Sequence, residues 1–474
     1  MDFSEENLSR SDVVKFFAGQ TIFITGGSGF VGKAILEKLL RCCPDIRLVY
    51  LLIRSKKGST AGERLNKMLQ DSLFTETLNR RGPEAWKKVH AVSGDVLQPD
   101  LGLCPSDRQK LTDEVSIVIH SAASVRFDDP LREAIDMNMG GTKRLLELAK
   151  HMVNLKSVVH ISTAYTNCTQ EFAEEKIYDL PHSTSNLFAM AANLDDAQMA
   201  AVTPSVLEPR FPNTYTCTKA YAEHVVREFQ DELPISIVRP SIVLASWKEP
   251  FTGWLDNVNG PSGLLVVTGL GLLQVAPPTS RDVFPDFVPL DLVVNSVLVA
   301  AKHRVDPGAE RLPVYHATVG QKNRLSWQRM RVIGLKLARE FPPSRMFRYP
   351  RMDVAANQLH YKFRMFWSHY VPAQLLHGVL SLMGKPSNIA RKYQRLVDTI
   401  EILRFFYVHD PVFKNLNNER LFTSLSDTDK YLFPMLADSL DWDEYMTSYL
   451  FGIRYFLIKE DLSTVPAARK RLML

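Results

Sequence analysis

An α/β fold on a doubly wound parallel sheet, followed by a smaller and mainly helical C-terminal domain, is what this 474-residue sequence predicts. Three observations carry that reading. Short apolar, β-rich runs alternate with stretches of helical period through the first third of the chain. A glycine-rich turn follows the first of those runs. Beyond about Asn323 the chain turns basic, then aromatic-rich and helical. Apolar strands buried on both faces and joined by helices indicate a parallel sheet.

Taken in order, Thr21 to Thr25 (TIFIT) reads as a buried strand and Gly32 to Arg41 as an amphipathic helix. Arg47 to Ile53 (RLVYLLI) is a second strand, the HAVS run before Gly94 is strand-like, and Val115 to His120 (VSIVIH) is another. Leu145 to Met152 reads as helix, Ser157 to Ile161 (SVVHI) as strand, and Ile235 to Arg239 as a strand ending at Pro240. A domain boundary is expected between Thr318 and Arg351, giving a first domain over 14–320, a basic linker over 321–354 and a helical domain over 355–465. Arg324 to Arg364 carries ten Lys/Arg against two acids, Glu340 and Asp353, broken by Pro342, Pro343 and Pro350. A solvated linker face is the first expectation for it, and contact with a membrane surface the second.

Composition narrows the function classes. At 45% hydrophobic and 23% charged residues, with 23 Gly and 27 Pro, the chain is neither disordered, collagen-like nor a coiled coil. Its formal charge of +5 is too mild to imply nucleic acid. Five cysteines, without a C-x-x-C pair, argue against a disulfide framework or metal site and for a reducing compartment. The acidic start, Met1 to Glu6, lacks the pattern of a signal peptide, so the cytosolic side is expected. Gly263 to Val275 is apolar but too short for a hydrocarbon core of about 30 Å. Met365 to Met383 is long enough but contains His369, Pro372, Gln374 and His377. Both read as core or interfacial segments.

The turn is Thr25-Gly26-Gly27-Ser28-Gly29-Phe30-Val31-Gly32, with Gly26, Gly29 and Gly32 spaced G-x-x-G-x-x-G. Gly26 allows a tight turn, Gly29 lets backbone approach a pyrophosphate, and Gly32 lets the helix pack closely on the strand. The helix N-terminus then offers N–H groups and a positive dipole end to phosphates. Strand, turn and helix together make this a Rossmann-type dinucleotide site. Where NAD binders usually place an acid, after the second strand, this chain has Arg54, Lys56 and Lys57. Cations there suit a 2′-phosphate, so NADPH is the expected cofactor, although the lysines could equally belong to a solvated loop. Asp95, in Gly94-Asp95-Val96, is placed to accept from an adenine amino group.

Tyr215 and Lys219 lie at i and i+4, one above the other on a helix face. An ammonium there can stabilise a phenolate and lower a tyrosine pKa of about 10, which suits general acid catalysis at a carbonyl oxygen. Ser162 and Thr163 stand at the end of the SVVHI strand, either hydroxyl able to donate to the same oxygen. Asn138 falls in the helical region between the two preceding strands. Each signal is weak alone, but their conjunction in this order points to an enzyme.

The set resembles an extended short-chain dehydrogenase/reductase and, more narrowly, is similar to the alcohol-forming fatty acyl-CoA reductases. The narrower match rests on TGGSGFVG at Thr25 to Gly32, HSAASVRFD at His120 to Asp128, HISTAYTN at His160 to Asn167, YTCTKAYAE at Tyr215 to Glu223 and VRPSIV at Val238 to Val243. GWLDNVNGPSG at Gly253 to Gly263, DFVPLDLVVN at Asp286 to Asn295, FYVHDPVFKNLNN at Phe406 to Asn418 and the run Asp441 to Tyr445 extend it over nearly the whole chain. The resemblance implies Tyr215 as acid, Lys219 as its electrostatic partner and ribose ligand, and Thr163 as the carbonyl-polarising hydroxyl, with Ser162 as the alternative. Asn138 would hold a water relaying protons to Lys219. Ser121, Ala122, Ala123, Val96, Pro240, Ile242 and Val243 would complete the cofactor contacts.

The implied reaction is two hydride transfers from NADPH, taking a long-chain acyl-CoA through an enzyme-held aldehyde to a primary alcohol and releasing CoA. Trp254 to Val275 is expected either to line the acyl tunnel or to pack in the core. Basic residues from Arg324 to Arg364 could attract the phosphates of CoA, while Phe405, Phe406 and Tyr407 are expected in the core of the helical domain. Many animal members of the family continue into an apolar anchor where this sequence reaches Arg469 to Leu474. The expectation is therefore a shorter member held by its surface, or a shortened form, on the cytosolic side of endoplasmic reticulum, peroxisome or lipid droplet membranes. Two alternatives stay open: a reductase of another lipid or sterol carbonyl, and a catalytically silent NADP-binding scaffold. No motif speaks to an oligomeric state.

Overall fold

The computed structural model describes residues 3–56, 58–279, 282–383 and 388–473. The chain forms two compact units that interleave along the sequence. The first takes Met1–Val243, Val288–Lys322 and Pro411–Ser439, and the second Leu244–Phe287, Asn323–Asp410 and Leu440–Leu474. A single cut at a linker was expected; here each unit is assembled from three separate segments of the chain.

The first unit is built on seven parallel strands: β1 (Thr21–Thr25), β2 (Leu48–Ile53), β3 (Val89–Ser93), β4 (Ile117–His120), β5 (Ser157–Ile161), β6 (Ile235–Pro240) and β7 (Val314–Ala317). Their spatial order is 7-6-5-4-1-2-3, and every described pairing between them is parallel. The order reverses between β1 and β4, where a doubly wound sheet opens a crevice at the carboxyl ends of its strands. Register puts Thr25 beside His120 at that point. Helices α1 (Phe30–Cys42), α2 (Gly141–Ala149), α3 (Thr214–Glu228) and α4 (Leu290–His303) belong to this unit. The apolar runs explain the sheet: β1 and β5 are buried at every position, so they read as continuous rather than alternating hydrophobic segments. Six strands lie within two residues of their expected bounds, β1 and β5 matching at both ends; β7 was not anticipated.

The second unit is mostly helical. The stretch expected as a basic linker holds the helix Trp327–Glu340, started by the side chain of Ser326 accepting from the Arg329 N–H. Several of its cations have partners, while Lys336 and Arg345 are exposed. Arg324 pairs with Asp410, Arg329 with Asp443 at 2.9 Å, and Arg331 donates to the Met352 carbonyl at 2.8 Å. Gly253 and Gly452 let two backbones touch: a β-carbon on Gly452 would stand 1.8 Å from the Gly253 oxygen. A cavity of about 390 Å³ lies within this unit, and Leu264, Leu273, Val275, Gly334, Leu335 and Tyr407 are among its walls. Part of the Trp254–Val275 stretch thus faces a cavity while Trp254 itself is core. Of the three C-terminal aromatics, Phe406 and Tyr407 are buried. No helix among the described residues is long and apolar enough to cross a membrane.

Candidate active site

The glycine turn sits at the carboxyl end of β1 and is shaped by contact distances. Gly26 has φ +70°, and a β-carbon on it would lie 2.6 Å from the Ala122 nitrogen and the Ser121 carbonyl carbon at the end of β4. One on Gly32 would lie 2.3 Å from the Gly26 oxygen, and one on Gly27 2.8 Å from Leu51. Only glycine closes this turn against the strand and helix around it. Gly29 is the N-cap of α1, with extended backbone and no capping side chain, and its N–H donates to the Gly26 oxygen at 2.9 Å. Ser28 and Gly29 are exposed. A short glycine edge in front of a 13-residue helix fits a pyrophosphate against the dipole end. Thr25 is buried, its hydroxyl accepting from the Ala122 N–H at 3.4 Å, while Phe30, Val31, Ser121, Ala122 and Ala123 are half-buried around the turn.

The candidates for the adenosine end also meet. Arg54 lies beyond β2, more than half exposed, 3.6 Å from the carboxylate of Asp95 beyond β3. Asp95 in turn accepts from the Leu97 N–H at 3.1 Å, and Val96 is buried against Gly141. Arg64, which the sequence reading passed over, donates to the Arg54 carbonyl and brings a second cation to this corner. Lys57 lies outside the described residues.

The reacting groups converge from β5 and α3. Asn213 caps α3 by accepting from the Thr216 N–H at 2.9 Å, which sets Tyr215 in the first turn and Lys219 one turn on. Tyr215 is half-buried against the Phe127 ring, with centroids 5.5 Å apart. Burial pushes its phenol up to about 12, opposed by a hydrogen bond with Thr163. The lowering expected from Lys219 is not seen: desolvation of the phenolate dominates, and what opposes it comes from Thr163. The phenol stays loaded with its proton. Lys219 is buried and donates from Nζ to the Ile161 carbonyl at 2.7 Å. Desolvation lowers its pKa to about 8, with Glu223, one turn further along α3, working against the drop.

Geometry separates the two hydroxyls that sequence left open. Thr163 acts on the Tyr215 phenol and donates to the Pro240 carbonyl at 3.3 Å. Ser162 instead donates to the Glu223 carboxylate at 2.5 Å. That carboxylate grips Arg239 through two bonds of 2.8 and 2.6 Å, both side chains almost wholly buried. The bidentate pair anchors the end of β6 to α3 beside Thr163. Pro240 ends β6, and Ile242 and Val243 follow it, half-buried.

Asn138 lies in a π turn, Ile135–Gly140, leading into α2; such turns often mark functional positions. Its side chain accepts from the Ser124 N–H at 2.9 Å and donates to Thr218 at 2.9 Å. Its carbonyl accepts from the Thr142 hydroxyl at 2.7 Å. Thr142 meets His120 Nε2 at 3.0 Å, and His120 Nδ1 meets the Thr25 hydroxyl at 2.6 Å. Because the Thr142 proton is committed to Asn138, His120 donates through Nε2 and accepts through Nδ1. Burial and the nearby Lys219 charge push His120 down to about 3, so it serves as a neutral strut. This chain of contacts joins the glycine turn to α3. No motif spacing announces it, since its members are scattered from Thr25 to Thr218.

A doubly wound sheet, a glycine turn at its switch point and a Tyr–Lys–Thr cluster at the same strand ends define a nicotinamide-dependent oxidoreductase. Residues 24–297 match an NAD-binding family and residues 368–460 the Sterile family, both described as male sterility protein. The chain is 38% identical over 460 residues to fatty acyl-CoA reductase 1 of Xenopus laevis, covering 97% of this chain and 89% of that protein. It is 36% identical over 462 residues to human fatty acyl-CoA reductase 2, covering 98% and 89%. Among solved structures it is similar in fold to the terminal R domain of the myxalamid PKS-NRPS pathway, with TM-score 0.60 and 20% identity over 92% of this chain and 91% of that one. A reductase domain of a nonribosomal peptide synthetase from Mycobacterium tuberculosis gives TM-score 0.60 at 19% identity, over 96% and 97%. The protein belongs to the fatty acyl-CoA reductase family.

Proposed function

We propose that the protein reduces long-chain acyl-CoA to a primary alcohol at the expense of NADPH, through an aldehyde that stays bound. The observation that carries the reading is the Tyr215 phenol placed with Thr163 and buried Lys219, at strand ends that also present the glycine turn. The glycine turn would hold the dinucleotide and Lys219 its ribose, and the bound nicotinamide would supply hydride. Thr163 and Tyr215 hydrogen-bond the thioester oxygen, which develops negative charge and needs donors already in place. Collapse of the resulting adduct expels CoA as its thiolate. With the aldehyde oxygen on the same pair, Tyr215 delivers its proton as that oxygen becomes an alkoxide, and Lys219 offsets the phenolate left behind. The apolar cavity of the second unit is of a size and lining suited to an acyl chain.

Arg54, with Arg64 beside it, supports NADPH over NADH through the 2′-phosphate. Arg54→Glu is expected to raise the KM for NADPH by at least about tenfold and leave that for NADH little changed, since a charged hydrogen bond contributes about 1.5–3 kcal/mol. Equal effects on the two nucleotides would remove Arg54 from cofactor selection.

The reduction is tested by supplying NADPH and a panel of acyl-CoAs and identifying products by gas chromatography–mass spectrometry. Alcohol without accumulating aldehyde is the expected result, and aldehyde alone would cancel the second step.

A further inference from the structure

Three charged side chains are shut inside the catalytic unit beside the reacting groups. Lys219 and Glu223 on α3 are each 2% exposed, and Arg239 on β6 is fully buried. Lys219 and Glu223 stand one turn apart on the same face of the helix. The Glu223 carboxylate takes three donors: the Ser162 hydroxyl at 2.5 Å, and Arg239 Nε and Nη2 at 2.8 and 2.6 Å. Donors of this kind favour its ionised form. Arg239 spreads its own charge more widely. It donates to the Glu174 and Lys176 carbonyls at 3.3 and 2.9 Å and meets His316 Nε2 at 3.1 Å. Its charge also acts on a second carboxylate, Glu175, which accepts from the His316 and Asn418 N–H groups at 2.7 and 3.1 Å. With Arg239 shared between two carboxylates, Glu223 is left able to serve Lys219 as well.

A buried ion pair is weak evidence for stability, since apolar side chains of similar volume often serve as well. Its place beside Lys219 gives it another use. We infer that Glu223 is a positioning residue for the reduction, the buried counter-charge that keeps Lys219 an ammonium ion while the Tyr215 proton passes to substrate. It acts through Lys219 and not on the reacting atoms, and the inference rests on the role proposed for Lys219.

The other groups around Lys219 do not supply that charge. His120 on β4 and His160 on β5 both feel the lysine, and burial together with its charge holds both far below the ordinary histidine value. They are neutral. The π turn packed on α3 brings Asn138, which is uncharged, to Thr218. On α3 itself, Tyr215 is kept protonated by burial. Among the described residues Lys219 Nζ has one acceptor, the Ile161 carbonyl, at 2.7 Å. Burial lowers the lysine to about 8, and Glu223 is the charge that opposes the drop. Without Glu223 the ammonium would give up its proton at a lower pH, and nothing would offset the phenolate.

The experiment is the pH dependence of hydride transfer in a single turnover, with NADPH bound and a long-chain acyl-CoA added, followed by NADPH absorbance. In the wild type the rate should fall above a pH of about 8, as Lys219 loses its proton. In Glu223→Gln the fall is expected to begin about one pH unit lower, because an opposite charge beside the lysine is gone, while the plateau on the acid side is kept. Ser162→Ala removes a bond to the same carboxylate but leaves its charge, so it should keep the wild-type profile. Glu223→Gln leaves Arg239 without its ionised partner; if that prevents folding, Glu223→Gln combined with Arg239→Met removes both charges, and the same displacement is expected of it. A wild-type profile in the glutamine variant, or an equal displacement in Ser162→Ala, would overturn the proposal. Lys219→Met separates this result from the reading beneath it. Little hydride transfer at any pH is expected, and full transfer would remove Lys219 from the reaction and the proposal with it.

Discussion

Tyr215→Phe is expected to lower kcat by about 10²–10⁴-fold while the dissociation constant of the nicotinamide cofactor stays within a factor of about two. The phenyl ring still packs on Phe127 and lies on a helix held by Asn213 and by the Thr218–Asn138 contact, so the fold has no reason to change. What is lost is the proton that burial keeps on the phenol up to a pKa of about 12. Thr163→Val should also lower kcat, because its hydroxyl bonds the same phenol. Ser162→Ala should spare the chemical step, since that hydroxyl serves the Glu223–Arg239 pair. Retained turnover in Tyr215→Phe, or a larger loss in Ser162→Ala than in Thr163→Val, would refute the assignment of roles.

Gly32→Ala is expected to cost the cofactor site its affinity. The added carbon would stand 2.3 Å from the Gly26 oxygen and 2.8 Å from the Gly27 α-carbon, and both neighbours are backbone, so neither can swing aside. Overpacking of this sort costs about 1–3 kcal/mol. If the turn moves to relieve it, the phosphate cradle moves too, at tenfold in affinity for each 1.4 kcal/mol or so. Gly62→Ala is the control: it lies in the helix Ala61–Leu69 with nothing within 4 Å of the new carbon, and helix propensity there favours alanine by up to about 1 kcal/mol. Fluorescence titration with NADPH should separate the two. Equal affinity in Gly32→Ala and wild type would show that close packing of α1 on the turn does not shape the site.

Much of the catalytic unit was legible because its determinants are local. The runs TIFIT and SVVHI carry Ile, Phe and Val on consecutive positions, as a sheet covered on both faces requires, and they are buried throughout. The glycine turn and the Tyr215–Lys219 spacing are likewise short-range patterns. The sequence did not reveal which hydroxyl faces Tyr215, because Ser162 and Thr163 differ only in the partners that α3 and β6 bring to them. The expected lowering of the Tyr215 pKa fails for a related reason: an i, i+4 spacing reports a neighbouring lysine but not the burial that raises the phenol. The His120 strut joins residues from five separate elements and has no periodic signature. The basic stretch from Arg324 reads as a linker, whereas it holds the helix Trp327–Glu340, and acids for some of its cations come from distant positions such as Asp410 and Asp443, which charge counting in a window cannot see.

The most direct measurement is the ratio of NADPH oxidised to CoA released during turnover of a long-chain acyl-CoA, followed with a thiol reagent and by absorbance in parallel. Two NADPH for each CoA, with the matching primary alcohol as product, is the predicted result for one Tyr215–Thr163 pair serving thioester and aldehyde in turn. A ratio of one, with free aldehyde in solution, would contradict it.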